Sequence, residues 1–221
     1  MEWGLEKTSG TLRIRNEITE KNGMKSSFTK AINYTGALIE LYINKILLIK
    51  SMTNFGMLYH PEGIAWSDII LNTTDIYAIS TRETFGFPIP VAYKSTLYPY
   101  AGYSYLKLDY TDNYTFLPDG FNGHKVYHNY LFGVDQEVYV NKCFRFSIGG
   151  MVTPYSYYYP RHTKESFSIG INTDMFFNFE YFGLHLYSTR QWTKERGGDY
   201  ETYISDIRDF GITFRLGLSA L

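Results

Sequence analysis

The chain has 221 residues and a formal net charge of -1, and 19% of its residues are aromatic, including 22 tyrosines and 16 phenylalanines. A balanced charge without a clustered basic face excludes the usual nucleic-acid-binding proteins. No segment reaches the roughly 20 apolar residues that a membrane-spanning helix needs. The longest candidate, Ala37 to Ile49, is interrupted by Glu40, Asn44 and Lys45. The composition therefore excludes a helical membrane protein and fits a single aromatic-rich domain.

The amino terminus opens on polar sequence, with no secretory signal in Met1 to Gly4, so we expect such a signal to have been removed. We predict one domain over residues 1–221, with residues 1–10 as a candidate periplasmic extension. Alternating polar and apolar residues predict about ten strands, while eight or twelve also fit. In chain order they are Thr11 to Ile18, Lys30 to Ile43, Leu47 to Tyr59, Phe85 to Leu97, Tyr103 to Tyr114, Lys125 to Val140, Phe144 to Tyr158, Phe167 to Phe177, Tyr181 to Trp192, and Arg208 to Leu221.

Three segments beginning at Gly36, Gly133 and Gly170 share one template. Each has an acidic residue four positions after the glycine, an aromatic residue at six and Asn at eight. Period-2 positions share a face of a strand, and Asn tolerates the backbone of a tight turn. The template therefore predicts three similar hairpins.

The alternation on either side of each turn fixes the expected strand pairing. Opposed residues share a face, so pairing Glu40 with Lys50 and Tyr139 with Arg145 implies loops of about three residues. In the third hairpin, pairing Asn172 with His185 implies a two-residue turn. We expect these short turns on the periplasmic side and the longer segments, such as residues 60–83 and 194–207, on the exterior.

The final strand carries the clearest alternation, with Phe210, Ile212 and Phe214 on one face and Asp209 and Arg215 on the other. An apolar outside and a polar inside are typical of a membrane-spanning barrel. The predicted fold is all-β, a closed antiparallel up-and-down transmembrane β-barrel of about ten strands with short periplasmic turns and longer exterior loops. A soluble, lipocalin-like barrel with the apolar face inside is the alternative.

In the membrane orientation the polar face lines the lumen, where side chains of both signs neutralise each other. We therefore predict a largely plugged interior rather than an open pore. No His or Cys spacing predicts a metal site, and no cofactor is expected. The predicted lumenal network consists of Arg13, Arg15, Glu40, Lys50, Lys107, Asp109, Asp135, Glu137, Arg145, Asn172, Asp174, His185, Asp209 and Arg215.

The tyrosine-rich strands and short Asn-Lys turns resemble bacterial outer-membrane β-barrel proteins of the Bacteroidota type. Two strings, Tyr34-Thr35-Gly36 and Pro99 to Tyr103, are similar to strings of the outer-membrane lipid A 3-O-deacylase family. That resemblance implies His128 as a candidate catalytic base, with Asn16 and Glu17 as orienting or cation-binding groups. Glu17 stands where the family carries Asp, and Tyr98 stands where an Arg usually precedes the Pro.

Motifs of hydrolases, such as Gly-x-Ser-x-Gly and His-Glu-x-x-His, do not occur in the sequence, which favours a non-enzymatic protein. We predict a structural, binding or accessory component of a bacterial outer-membrane assembly. Outer-membrane lipid or lipopolysaccharide and another outer-membrane or periplasmic protein are the expected partners, and nucleic acid is not. The alternatives are a lipid A deacylase-like esterase, which would be an outer-membrane lipid acyl hydrolase, and a narrow channel for small solutes.

Overall fold

The computed structural model describes residues 2–43, 46–58, 77–109, 124–159, 165–179, 182–197 and 200–216. No helix in this part of the chain is long and apolar enough to cross a membrane. The described residues form eleven strands: β1 (Glu2–Glu20), β2 (Lys25–Ile43), β3 (Leu47–Leu58), β4 (Tyr77–Gly86), β5 (Ile89–Ala92), β6 (Ser95–Asp109), β7 (His124–Tyr139), β8 (Phe144–Tyr159), β9 (Glu165–Asn178), β10 (Phe182–Gly197) and β11 (Tyr200–Leu216).

These strands form one closed antiparallel barrel. Neighbours in the barrel follow chain order, β1 pairs with β11, and β4 pairs with β6. The short β5 pairs with the first residues of β6 alone and stands outside the ring. The predicted closed, up-and-down barrel with ten strands is therefore confirmed.

Residues that are directly paired across successive strands form a row around the barrel. Such a row is inclined and does not return to the residue at which it started. The row that starts at Tyr42, beside the β2–β3 turn, passes through β3, β4, β6 and onward to Ile14 of β1, and returns to β2 at Lys30, twelve residues away. For ten strands such a stagger corresponds to a strand tilt of roughly 40°. Rows therefore rise toward the exterior end on passing from β2 to β3 and onward around the ring.

Large apolar side chains cover most of the outer wall. Ile148 is 55% exposed and Phe214 is 57% exposed. On the opposite face of the barrel wall, Glu137 is 5% exposed and points into the lumen. A soluble barrel would have buried the apolar set, because water disfavours exposed apolar area. The soluble alternative is therefore wrong, and the wall suits a hydrocarbon environment.

Several predicted strand boundaries were wrong. Phe85 to Leu97 is not one strand, because the chain reverses there between β4 and β6; Pro88 and Pro90 lack the N–H that a central strand needs. Part of the predicted exterior segment, residues 77–83, belongs to β4, and most of residues 194–207 belongs to β10 and β11. Residues 60–76, the rest of the first of these predicted exterior segments, lie outside the described residues.

The amino-terminal residues belong to the barrel. β1 begins at Glu2 instead of Thr11, and the residues from Glu2 onward pair with β2, starting with Glu2 opposite Tyr42. Residues 2–10 therefore form wall and not a separate extension. Nineteen-residue strands such as β1 exceed the 9 to 11 residues, roughly, that cross a bilayer, so the barrel projects beyond the membrane.

The predicted hairpin pairings hold for two of the three hairpins. Glu40 faces Lys50 and Tyr139 faces Arg145, as predicted. In the third hairpin Asn172 faces Thr189 instead of His185, because the turn comes two residues later than predicted. The shift preserves the face of every residue, so His185 still points into the lumen.

Candidate functional site

Two ion pairs line the lumen near the short turns. Glu40 Oε1 lies 3.2 Å from Lys50 Nζ, and Glu137 Oε1 accepts a hydrogen bond from Arg145 Nη1 at 3.1 Å. Both carboxylates are almost fully buried, with side-chain exposures of 4% and 6%. Each pair joins neighbouring strands across a tight hairpin, which is why the sequence alternation aligns them.

A second set of polar side chains continues the network toward the middle of the lumen. Asn172 Nδ2 donates to Asp135 Oδ1 at 2.6 Å, and His185 Nε2 lies 2.9 Å from Asp174 Oδ1. The Phe176 ring lies between the His185 ring and the Arg145 guanidinium, 4.0 Å from each. These contacts pair the buried charges and fix their positions.

Little space is left between these side chains. The half of the lumen nearest the turns contains a cavity of about 110 Å³, room for several water molecules, since one water needs about 10–15 Å³ of such space. Toward the exterior, the Tyr34 hydroxyl donates to Asp209 and contacts the Tyr187 hydroxyl. A second cavity of about 80 Å³ lies there.

The exterior half of the lumen is closed by apolar side chains. Ile14 and Ile32 are fully buried, and Ile18, Leu12 and Leu106 pack with them. The sequence predicted a polar filling throughout, and this part of the prediction is wrong. Within the described residues the lumen is filled by charged and polar side chains near the turns and, toward the exterior, by this apolar cluster together with buried polar residues such as Ser168, Thr193 and Ser205.

Most of the predicted lumenal residues do line the lumen. They are Glu40, Lys50, Asp135, Glu137, Arg145, Asn172, Asp174, His185 and Asp209. The side chains of Asp109, Arg215 and the candidate catalytic Asn16 lie outside the described residues.

Arg13, Arg15 and Lys107 were wrongly assigned to the lumen. Arg13 and Arg15 alternate with buried Leu12 and Ile14 and are exposed on the outer wall. Lys107 is on the outward face of β6, since it pairs with Ile79 and Val126 between the inward Leu106 and Leu108 positions. Beyond the membrane the outer wall meets water, so charged residues face outward and apolar ones fill the interior.

Outside the barrel, three arginines from adjacent strands form one cross-strand row. Arg13 of β1 faces Arg208 of β11, which in turn faces Arg190 of β10. Like charges in directly opposed positions repel each other. Along β11 the outward positions change from Phe214, Ile212 and Phe210 to Arg208, so the continuous apolar run of this strand ends at the arginine row. Exposed Ile204 of β11 and Phe167 of β9 lie further toward the exterior. Sequence analysis missed the row because Arg13 and Arg15 were phased inward.

Carboxylates neutralise only part of this arginine row. Asp206 accepts hydrogen bonds from Arg190 Nε at 3.0 Å and Nη2 at 2.8 Å, and from Arg208 Nη2 at 3.0 Å. Arg15 Nη2 donates to Glu17 Oε1 at 2.6 Å. Among the side chains that the structure describes, four guanidinium groups thus meet two carboxylates.

Two members of the arginine row border an open space, and the third has an aromatic neighbour. A cavity of about 260 Å³ lies between Arg13, Arg15, Asp206 and Arg208. The Arg190 guanidinium lies 4.4 Å from the ring centre of Trp192, an aromatic residue of the kind found at membrane interfaces. Guanidinium groups present paired donors that match phosphate and carboxylate oxygens. The arrangement can therefore bind an anionic headgroup.

The deacylase-type candidates are far apart. His128 lies on the outer wall of β7, where it contacts the Tyr103 hydroxyl and the Tyr105 ring. Glu17 lies on β1, five strands away from β7 in either direction around the ring. The structure therefore does not bring His128 and the Asn16-Glu17 pair together. Among the described residues, no group of three His, Cys, Asp or Glu side chains could hold a metal ion.

Comparisons with known proteins connect the chain to others through its fold. No protein-family model matches the chain, and no curated protein sequence matches it. Among solved structures, the outer membrane protease OmpT from Escherichia coli matches with a TM-score of 0.59 and 9% sequence identity, over 98% of this chain and 99% of that one. The translocator domain of the autotransporter NalP from Neisseria meningitidis matches with a TM-score of 0.45 and 11% identity, over 96% and 88%. Neisserial surface protein A matches with a TM-score of 0.36 and 9% identity, over 98% and 99%.

These similarities concern the fold. The chain has the fold of bacterial outer-membrane β-barrel proteins, as its sequence predicted. The predicted location in the bacterial outer membrane agrees with that fold and with the apolar wall. The similarity to Bacteroidota barrels and to lipid A deacylases stays a prediction.

Proposed function

We propose that this chain is a non-conducting outer-membrane barrel that acts as a binding component of the membrane. Its ligand is a phosphorylated headgroup of an outer-leaflet lipid, held by the arginine row Arg13, Arg208 and Arg190. The single observation that carries the proposal is that these three side chains face outward on adjacent strands, directly after the continuous apolar run of β11.

An anion at this position would remove the repulsion within the arginine row. Asp206 already takes two of the guanidinium groups, whereas Arg13 borders the open space beside it. Lipid acyl chains would lie along the apolar wall of β9 to β11, where Ile171, Phe210 and Phe214 are exposed. The headgroup and the chains thus have adjoining surfaces of matching polarity.

The filled lumen supports a role without conductance. Buried side chains occupy much of the interior of the described residues, and the two adjoining lumenal cavities, both lined by Met52, Arg82 and Thr189, measure about 110 and 80 Å³. We expect the purified barrel to give no steady current in planar lipid bilayers. Stable single-channel steps that depend on Glu137 or Ile14 would contradict this part of the proposal.

Binding is tested by titrating the purified barrel in detergent with lipid A carrying its phosphates and with the same lipid after enzymatic dephosphorylation. Arg13→Gln and Arg208→Gln should each weaken binding of the phosphorylated lipid about tenfold, the order expected for one lost charge-assisted hydrogen bond. Lys107→Gln, on the outward face of β6, is the control and should bind like the natural chain. Equal binding of the dephosphorylated lipid, or equal weakening by Lys107→Gln, would refute a phosphate site in the arginine row.

A further inference from the structure

One sector of the membrane-facing wall is polar. On β1 to β4 the outward positions include Lys7, Ser9, Thr11, Asn33, Thr35, Ala37, Ser51, Thr53, Thr81 and Glu83, which we call the polar wall; the apolar Leu5, Ile39, Phe55 and Ile79 share this face. On the opposite side, β7 to β9 present Phe132, Val134, Ile148, Ile169 and Ile171, each about half exposed. The contrast sets the polar wall apart from the rest of the outer surface.

The polar wall lies at the depth of the apolar belt and not above it. Lys7 directly faces Phe214 of β11, and Glu83 neighbours Phe85 on the same face of β4; both phenylalanines are more than half exposed. Lys7 and Glu83 are themselves exposed. Charged side chains facing lipid at this depth are costly, so lipid alone is a poor covering for this surface.

Lys7 and Glu83 mark two edges of the polar wall at nearly the same depth. Lys7 shares a row with Ala37, Thr53 and Thr81, and Glu83 belongs to the row just below it. With strands tilted by roughly 40°, the row rises by about 9 Å toward the exterior over the three steps from Lys7 on β1 to Thr81 on β4. Glu83 lies two residues beyond Thr81 along β4, which lowers its position by about 5 Å. Glu83 is therefore about 4 Å further toward the exterior than Lys7.

We propose that the polar wall is the interface with a second copy of this chain. A two-fold axis along the membrane normal exchanges the two edges of the wall and keeps every depth unchanged. Lys7 of each copy then meets Glu83 of the other, which gives two reciprocal ion pairs in one self-complementary interface. No single lipid or uncharged surface offers both signs at these positions.

Most side chains between these charges are small, with Ile39 the large apolar one, and they suit close contact of two walls. Ser51, Thr53 and Ala37 lie near the middle of the polar wall, and hydroxyl groups such as Thr35 Oγ1 already bond to backbone carbonyls of their own barrel. Small and hydroxyl-bearing residues allow close packing of membrane-spanning surfaces and hydrogen bonding across them. The proposal does not depend on the lipid site of the arginine row.

The first test is a charge exchange, measured as the mass of the purified barrel in mild detergent by light scattering. The natural chain should be a dimer. Lys7→Glu and Glu83→Lys should each raise the dimer dissociation constant by about tenfold or more through like-charge contact, and the double variant should restore dimerisation. Lys194→Glu, an exposed change on β10, is the control, and circular dichroism checks that each variant folds.

A second test uses cross-linking in native outer membranes, where no detergent intervenes. Cys143 is exposed and is first changed to Ser; Thr53→Cys then places one thiol at the centre of the polar wall, and Ile169→Cys places one on the opposite wall as the control. Oxidation should give a disulfide-linked species of twice the chain mass for Thr53→Cys alone. A monomer in both tests, dimerisation that the charge reversals leave unchanged, or a cross-link to a different protein would overturn the proposal.

Discussion

The lumenal pair Glu137 and Arg145 gives the sharpest test of the filled interior. The Glu137 side chain is 6% exposed and that of Arg145 is 15% exposed, and 3.1 Å separates their nearest oxygen and nitrogen. Removing one partner of such a buried pair costs about 3–5 kcal/mol, because an unpaired charge is left behind. The Phe176 ring 4.0 Å from the Arg145 guanidinium remains in Glu137→Ala and retains about 1–2 kcal/mol.

We therefore expect Glu137→Ala to lower the free energy of unfolding by about 1–4 kcal/mol. The double variant Glu137→Leu with Arg145→Met should lie within about 1 kcal/mol of the natural chain, since both charges are gone and the volume is kept. The measurement is equilibrium urea unfolding in lipid vesicles, followed by the fluorescence of the three tryptophans.

The matched control is the pair Arg15 and Glu17 on the outer surface. Its atoms are closer, at 2.6 Å, yet its side chains are 56% and 46% exposed. Because water screens exposed pairs, Glu17→Ala should cost less than about 1 kcal/mol in spite of the shorter distance. Equal losses of unfolding free energy in Glu17→Ala and Glu137→Ala would mean that the lumen does not exclude water from the buried pair. The absence of coupling between Glu137 and Arg145 in the double-variant cycle would mean the same.

Three further changes test other parts of the wall by the same unfolding measurement. A Cβ on Gly149 would collide with Asp135, whereas the nearest atom to a Cβ on Gly150 is 3.8 Å away. Gly149→Ala should therefore lower the free energy of unfolding by about 1–3 kcal/mol, and Gly150→Ala by less than about 0.5 kcal/mol. Equal losses would contradict the faces assigned to these two residues. Ile14 is fully buried in the exterior half of the lumen, so Ile14→Ala should cost about 2–5 kcal/mol, and a negligible loss would mean that this end is open. Ile148→Arg places a charge on the lipid face and should cost about 2–4 kcal/mol in vesicles, which a neutral result would refute.

The closed barrel could be predicted because strand alternation and hairpin turns are local properties. Glu40 with Lys50 and Tyr139 with Arg145 were paired correctly, since each lies within a few residues of its turn. The strand that begins at Tyr77 was missed, because the proline-containing segment after it was interpreted as strand and left no position for it. Propagating a register requires every turn, and one misplaced reversal shifts the boundaries that follow.

The lumenal residues were predicted correctly where the strands cross the membrane and incorrectly where the strands extend beyond it. His185 and Asp174 were assigned correctly to one face, although the pairing of His185 was wrong, because a shift of two residues in one strand preserves the face. Arg13 and Arg15 were assigned on the assumption that charge points inward, which holds only inside the membrane. The arginine row was hidden from sequence analysis for the same reason.

Depth, which a two-residue period does not contain, therefore decides what each strand face means. In β1 the inward positions change from Thr8 within the apolar belt to Ile14 above it, whereas the outward positions from Lys7 to Arg13 stay polar at both depths. The alternation of residue types along a strand is the same whichever face of the strand points outward. Placing these residues requires the stagger of the rows around the ring, which follows from the pairings of all ten barrel strands. The arginine row and the polar wall are the two surfaces proposed for binding. In both, the outward residues differ from the apolar residues expected on a membrane-facing wall, and this difference is visible only after the depth of each residue is known.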